Sequence, residues 1–290
     1  MTAVEERPEV QAEIGQARRR KEDQHLITGR STFTDNMTLP GMVHLAILRS
    51  PMAHAKITSI DTSGAKERPG VLAVFTGQDF AEAQGSLPCA WAPEGIVNPG
   101  TPALAVSQVN FAGECVAVVV GRTKAEAQDA LEAVEVDYEP LPPVLDMEEA
   151  IKDGADLVHP DLASNKSYSW VFESGAAGTG ASIDAALADA EVTLTRRFIQ
   201  QRLIPAFMEP RSTVVQPIGD GVTMWSATQI PHVLRTLLAA TLGIAEHKVR
   251  VIAPDVGGGF GGKIAVSPEE VICTLVARAL NKPVKYTESR

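Results

Sequence analysis

Between Val251 and Lys263 the chain reads Val-Ile-Ala-Pro-Asp-Val-Gly-Gly-Gly-Phe-Gly-Gly-Lys, and no other stretch restricts the fold as much. Residues 257–262 are glycine except for Phe260. Such density removes the side chains that otherwise keep backbone out of tight turns and away from a partner. A β-type run, Val249 to Ala253, leads in, and Ser267, Pro268 and Glu270 open a helix beyond. Successive N–H groups in a loop of this kind make a concavity for an anion. A phosphate or phosphorylated cofactor is the natural guest. A tight turn at a close backbone crossing is the other reading.

The loop fails the two standard nucleotide patterns. The phosphate loop of nucleotide hydrolases closes on Gly-Lys-Ser/Thr, and here Ile264 replaces the magnesium-binding hydroxyl. The dinucleotide fingerprint matches formally at Gly257, Gly259 and Gly262. It requires a helix opening directly from the loop and an acid closing a second strand. The helix signal comes later, at Ser267, and Glu288 is poorly placed as the acid.

With 290 residues the chain can bury a full core and divide into about two domains. Its 26 basic against 36 acidic residues, a net charge of −10, argue against nucleic acid as a partner. Cys89, Cys115 and Cys273 are too far apart for a compact metal-ligand pair or a disulfide framework, so reduced thiols in a cytoplasmic protein are expected. The polar, acidic start MTAVEERPEV lacks the apolar core of a signal peptide. No run reaches the length of a membrane span.

Residues 1–19 read as a flexible arm, with a cationic cluster at Arg18, Arg19, Arg20 and Lys21 that is either solvated or a contact for another domain. From 20 to 143 the pattern is α+β. Strands are predicted at Met42–Arg49, Lys56–Asp61, Val71–Thr76, Glu114–Gly121 and Val134–Tyr138. The nearly continuous apolar run at 115–120 marks a buried central strand. A capping box, Thr123 with Glu126, opens an alanine-rich helix. Residues 85–102 form a long Gly/Pro loop in which Trp91 is a candidate anchor. Residues 144–182 read as a linker.

From 183 to 290 a short helix (Ile183–Ala190) precedes a half-buried strand at Glu191–Phe198, on the alternation of Val192, Leu194 and Arg196. Further strands are predicted at Ser212–Pro217, Val222–Ala227, Val249–Ala253 and Pro283–Thr287. Pro231 starts a helix striped by Val233, Leu234, Leu237, Leu238 and Leu242, which Gly243 ends. Ser267 and Glu270 cap a helix to about Leu280. The unit is β-α-β-loop-α-β, and its loops at 228–231 and 255–266 follow strand ends, where ligands sit in a parallel arrangement.

Several side chains near these loops admit two roles. Gln229, between strand and helix, can donate to one ligand atom and accept from another, or can cap the turn. Phe260 is a wedge or a stacking surface. Lys263 neutralises a phosphate or faces solvent. Glu209 and Arg211 flank Pro210 as a local pair or as two walls of one cleft. The six histidines lack ligand spacing, and no metal site is predicted. Nor is there a catalytic triad or a pair of carboxylates poised for acid-base work.

Taken in order, Lys21-Glu22-Asp23 with Thr28-Gly29, Arg49-Ser50-Pro51 with Ala53-His54-Ala55, Val136-Asp137-Tyr138-Glu139-Pro140-Leu141-Pro142, Met208-Glu209-Pro210-Arg211, Thr228-Gln229 with Pro231-His232, and Val256 through Lys263 carry a family resemblance. The chain resembles the N-terminal part of the large, molybdopterin-binding subunit of the xanthine dehydrogenase family, which includes aerobic carbon monoxide dehydrogenase and aldehyde oxidase. The resemblance implies an α/β hammerhead domain over 20–143 and a partial first molybdopterin-binding domain over 183–290. It implies that Gly258, Gly259, Phe260 and Gly261 approach the cofactor, and that Gln229 is the catalytic amide reaching toward an oxo ligand of the metal.

The cofactor implied is a molybdopterin-type molybdenum cofactor in its cytosine dinucleotide form, with iron-sulfur clusters on a small subunit and FAD on a medium subunit. The reaction implied is hydroxylation with water-derived oxygen. Ile264 stands where xanthine dehydrogenases carry a substrate-binding glutamate, which points away from purines and toward carbon monoxide dehydrogenase-like or aldehyde-oxidising enzymes. The family's glutamate base and its copper-binding cysteine match nothing in these residues. The expectation is therefore a fragment, or half of a split subunit completed by the C-terminal portion on another polypeptide. The alternative is an inactive remnant that docks partner subunits.

Overall fold

The computed structural model describes residues 14–89, 91–170 and 183–290. The chain divides into two compact units, Met1–Thr32 and Phe33–Arg290. In the first, α1 (Asp23–Ile27) is one turn and a half of helix. Arg20 pairs with Asp23 at 2.9 Å, so that part of the cationic cluster has a local partner.

The second unit is built on a seven-stranded sheet. Its first part supplies β1 (Val43–Arg49), β2 (Ala55–Asp61), α2 (Ser63–Lys66), β3 (Val71–Thr76), β4 (Gln108–Val109), β5 (Cys115–Gly121), α3 (Lys124–Leu131) and β6 (Glu135–Pro140). Its later part supplies α4 (Ile183–Ala188), β7 (Ser212–Ile218), β8 (Gly221–Ser226), α5 (Pro231–Thr241), β9 (Val249–Ile252), α6 (Pro268–Leu280) and β10 (Val284–Thr287). The large sheet runs β3-β5-β1-β10-β7-β8-β9, and β4-β2-β6 form a small second sheet. Early and late strands join where β1 meets β10 in parallel, Val43 opposite Val284 and His44 opposite Lys285.

All of β5 is buried, because layers cover both faces of its sheet. Val118 and Val120 enter the core shared with α5 and α6, while Ala117 and Val119 enter the one under α3. Both neighbours of β5 are antiparallel to it, so here continuous burial reflects covered faces and not a parallel sheet. The predicted capping boxes form. Thr123 Oγ1 accepts the Glu126 N–H, and Ser267 does the same for Glu270; such a cap stabilises by about 1 kcal/mol. Past the end of α6, Asn281 takes φ +48° and closes the helix in the left-handed region.

An Arg49 clamp bridges the early and late strands. Its guanidinium, from the end of β1, donates to Glu269 in the first turn of α6, to Gly113 O at 3.0 Å and to Tyr286 Oη at 3.3 Å.

Three expectations need correction. The stretch 191–198 has no strand; it and the residues to 206 lack regular structure, and Val192, Leu194, Phe198, Ile199, Leu203 and Ile204 are exposed. Its alternation meets no sheet edge among the described residues. Second, β10 does not lie beside β9. It pairs antiparallel with β7 and parallel with β1, so the parallel unit is β8-α5-β9 alone. Third, Trp91 is 59% exposed and anchors no core. It packs edge-on against Tyr168 and Trp170 in a surface cluster.

Of the expected linker 144–182, residues 171–182 lie outside the described residues, as do residues 1–13 of the expected arm. Residues 144–170 are fastened to their surroundings: Asn165 accepts the Val158 N–H, and Ser167 donates to Val97 O at 2.7 Å.

Candidate functional site

Strands β8 and β9 are parallel neighbours, and the loops leaving their C-terminal ends meet. The first is Ala227 to Ile230; the second is the glycine loop. This is the position at which open α/β sheets receive ligands. The structure therefore brings together the five residues singled out in the sequence, Gln229, Gly258, Gly259, Phe260 and Gly261.

Gln229 organises the contact between the loops. Its main-chain N–H donates to Lys263 O at 3.0 Å, and its Oε1 accepts from Gly261 N at 3.1 Å and Lys263 N at 3.3 Å. The amide oxygen thus acts inward as a turn anchor. Two glycines are required by space: a Cβ on Gly259 would lie 2.4 Å from Gln229 Oε1, and one on Gly257 would lie 2.5 Å from Glu209 Cβ. Gly258 and Gly261 have φ of +95° and +87°, which L side chains avoid.

Phe260 shares that region at φ +48° and is 75% exposed, so it is not a buried wedge. The N–H groups of Gly258, Gly259 and Phe260 have no acceptor among the described residues. Three consecutive free donors in a loop with positive-φ residues are what an anionic group needs.

Lys263 takes neither role foreseen for it. It is 3% exposed, and its ammonium donates to Glu209 O at 2.9 Å and Glu209 Oε2 at 3.1 Å, 4.6 Å from the centre of the Phe207 ring. Nor do Glu209 and Arg211 pair with each other. Glu209 Oε2 accepts the Gly257 N–H at 2.7 Å. Arg211 donates to Gly262 O at 3.0 Å and to Glu288 Oε1 at 2.8 Å. Both side chains instead hold the loop in place.

Phe207 was not foreseen. Its ring packs against Gly262, where a Cβ would come within 2.9 Å of Cε1, and Arg211 also lies over it, 5.7 Å from the centroid. The available signal was its place one residue before Met208-Glu209-Pro210-Arg211.

Glu270 lies behind the loop. Ser226 Oγ donates to its Oε1 at 2.6 Å and the Ser267 N–H to its Oε2 at 2.9 Å. Burial pushes this carboxyl up to about 7. Burial likewise lifts the Cys115 thiol to about 12 and holds the Cys273 thiol well above its usual range, so neither serves as a thiolate ligand. Among the described residues no cluster of three or more His, Cys, Asp or Glu side chains could hold a metal ion, and no helix is long and apolar enough to cross a membrane.

Known proteins share this architecture. Residues 28–142 match the model of the aldehyde oxidase and xanthine dehydrogenase a/b hammerhead domain, and residues 158–290 match that of the molybdopterin cofactor-binding domain. The chain is 36% identical to the carbon monoxide dehydrogenase large chain of Hydrogenophaga pseudoflava, over 93% of its own length and 34% of the relative's. It is also 36% identical to the nicotine 6-hydroxylase large subunit of Paenarthrobacter nicotinovorans, over 96% of its length and 33% of the relative's.

Among solved structures, quinoline 2-oxidoreductase from Pseudomonas putida 86 superposes with a TM-score of 0.84 at 36% identity, covering 93% of this chain and 34% of that one. The chain spans about one third of the length of these relatives. By its two matched domains and their order, it belongs to the aldehyde oxidase and xanthine dehydrogenase family, of which it carries the hammerhead domain and the start of the molybdopterin-binding domain.

Proposed function

We propose that this chain supplies one wall of the cofactor site in a molybdenum hydroxylase, an oxidoreductase of the carbon monoxide dehydrogenase-like or aldehyde-oxidising type. The observation that carries the reading is the run of three free N–H groups at Gly258, Gly259 and Phe260, set beside Gln229 at the ends of two parallel strands. These residues suit an anionic group. Backbone donors can approach it closely, and at Gly261 nothing lies within 4 Å of where a Cβ would stand. The molybdenum cofactor, in its cytosine dinucleotide form, would supply the oxygen transfer and accept the electrons.

The chain's part is to bind and orient. Gly258, Gly259 and Phe260 would donate to the cofactor, and Gln229, whose Oε1 is spent on the loop, would turn its Nε2 toward an oxo ligand. Phe260 offers an exposed ring beside them. Ile264, 46% exposed and lacking any charge, suits a small uncharged substrate better than a purine. Two relatives are named as a large chain or large subunit, which supports an iron-sulfur small subunit and an FAD-binding medium subunit as partners.

The exposed apolar side chains of 191–204 favour a further partner, the remaining two thirds of the large subunit. Metal analysis tests the reading. The lone chain is expected to carry no molybdenum, and co-expression with a polypeptide supplying the remainder is expected to give stoichiometric metal, most of which Gly259→Val loses. Stoichiometric molybdenum on the lone chain would overturn the dependence on a complement. A complemented protein without molybdenum would leave the docking reading, in which the chain binds partners without catalysis.

A further inference from the structure

One carboxylate oxygen ties both ends of the glycine loop. Glu209 Oε2 accepts the Gly257 N–H at 2.7 Å, where the loop begins, and the Lys263 ammonium at 3.1 Å, where it ends. The same ammonium donates to Glu209 O at 2.9 Å, and the Glu209 N–H returns a bond to Gly257 O at 3.3 Å. Both side chains are nearly sealed from water, at 1% and 10% exposure. Glu209 Oε1 is buried without a hydrogen-bond partner among the described residues, so the carboxylate is held through Oε2 alone. A pair buried this deeply is costly to leave half-made, since removing one member strands the other's charge.

We infer that Glu209 and Lys263 are a positioning pair: they fix the conformation of residues 257–263, and so the aim of the Gly258, Gly259 and Phe260 N–H groups, while Lys263 gives no charge to the guest. The ammonium points into the protein, under the Phe207 ring, on the side where Glu209 lies. Anion recognition then rests on neutral backbone donors in a fixed loop. The inference rests on the reading of this loop as a cofactor wall, but its test involves no cofactor, so either can fail without the other.

Hydrogen exchange on the full 290-residue chain provides the test. Lys263→Met leaves the Glu209 carboxylate buried without its cation. The hydrogen-bonded amides of Gly257, Gly261, Gly262 and Lys263 should then exchange about tenfold faster or more, with those of β5 and α3 unchanged. Combining Lys263→Met with Glu209→Gln removes both charges and keeps an oxygen for the Gly257 N–H. Exchange should return to within about threefold of wild type.

A lysine that served a ligand directly would move neither value. Unchanged exchange in the single variant, or a double variant as fast as the single, overturns the inference. Should Lys263→Met fail to fold, Glu209→Gln alone strands the ammonium and must raise loop exchange to the same degree; wild-type exchange there overturns it equally.

Discussion

The glycine loop and the stretch 191–204 both lack regular structure, yet they satisfy their side chains in opposite ways. The loop is tied by Glu209, Arg211 and Gln229 and encloses a lysine at 3% exposure. The stretch carries six large apolar residues toward solvent, with Phe198 90% exposed. Contiguous apolar exposure of that kind marks an interaction site. The contrast separates a loop whose polar groups are satisfied internally from a stretch whose apolar side chains find no cover among the described residues. The glycine loop is finished internally, and under the function proposed above 191–204 is the edge offered to a complement.

The contrast can be broken first in the core beneath the loop. Ile272, fully buried in α6, belongs to the cluster that carries β7, β8 and β10. Ile272→Ala should cost about 2–5 kcal/mol, read as a lower urea midpoint for the chain alone. A loss under about 0.5 kcal/mol would mean that this region, too, waits for a partner.

A second test uses pH. The Glu270 carboxyl sits at about 7 in the folded chain, against an ordinary value of 4.5. Between those values the native state keeps a proton that the unfolded state has released. The carboxyl's contribution is therefore full below 4.5 and is lost as pH rises through 7. Glu270→Gln, which keeps an acceptor for the cap, should gain stability relative to wild type across that window, by roughly 3 kcal/mol, and level off above it. Parallel melting curves from pH 4 to 8 would show it; a constant difference would place the carboxyl in contact with water.

The smallest effect is expected in the exposed stretch. Leu194→Ser with Phe198→Ser should leave the stability of the lone chain within about 0.5 kcal/mol of wild type. If the stretch is a docking edge, the same changes should weaken association with the remaining two thirds of the large subunit by about tenfold or more, measured by titration. Destabilisation of the lone chain would show that these side chains already have a place to pack.

Much of the fold was legible because its signals are local. Thr123 with Glu126 and Ser267 with Glu270 each specify a helix start within four residues, and both form. Apolar periodicity located nine of the ten strands found among the described residues; β4, of two residues, is too short to show a period. The partner of β10 was not legible, because strand pairing is settled by tertiary packing. The stretch 191–198 misled for a related reason: alternation reports a face suited to burial, and nothing among the described residues covers it.

At the site, glycines and Gln229 could be picked out because their residue types are unusual where they stand. The inward turn of Lys263 could not, since a lysine after glycine normally faces water, and its carboxylate lies more than fifty positions earlier, at Glu209.

The contact between β1 and β10 sets a schedule for synthesis. Val43 pairs with Val284, about 240 residues later. At roughly 5–20 residues per second, a nascent chain waits about 10–50 seconds between making the two strands. Once β5 has followed, β1 has only that neighbour until β10 is made, and Arg49 has Gly113 and Cys115 but neither Glu269 nor Tyr286. Early strands that pair before then form a half-sheet with one long side open. Such a half-sheet is safe only while that side is kept from pairing with other strands until β10 arrives.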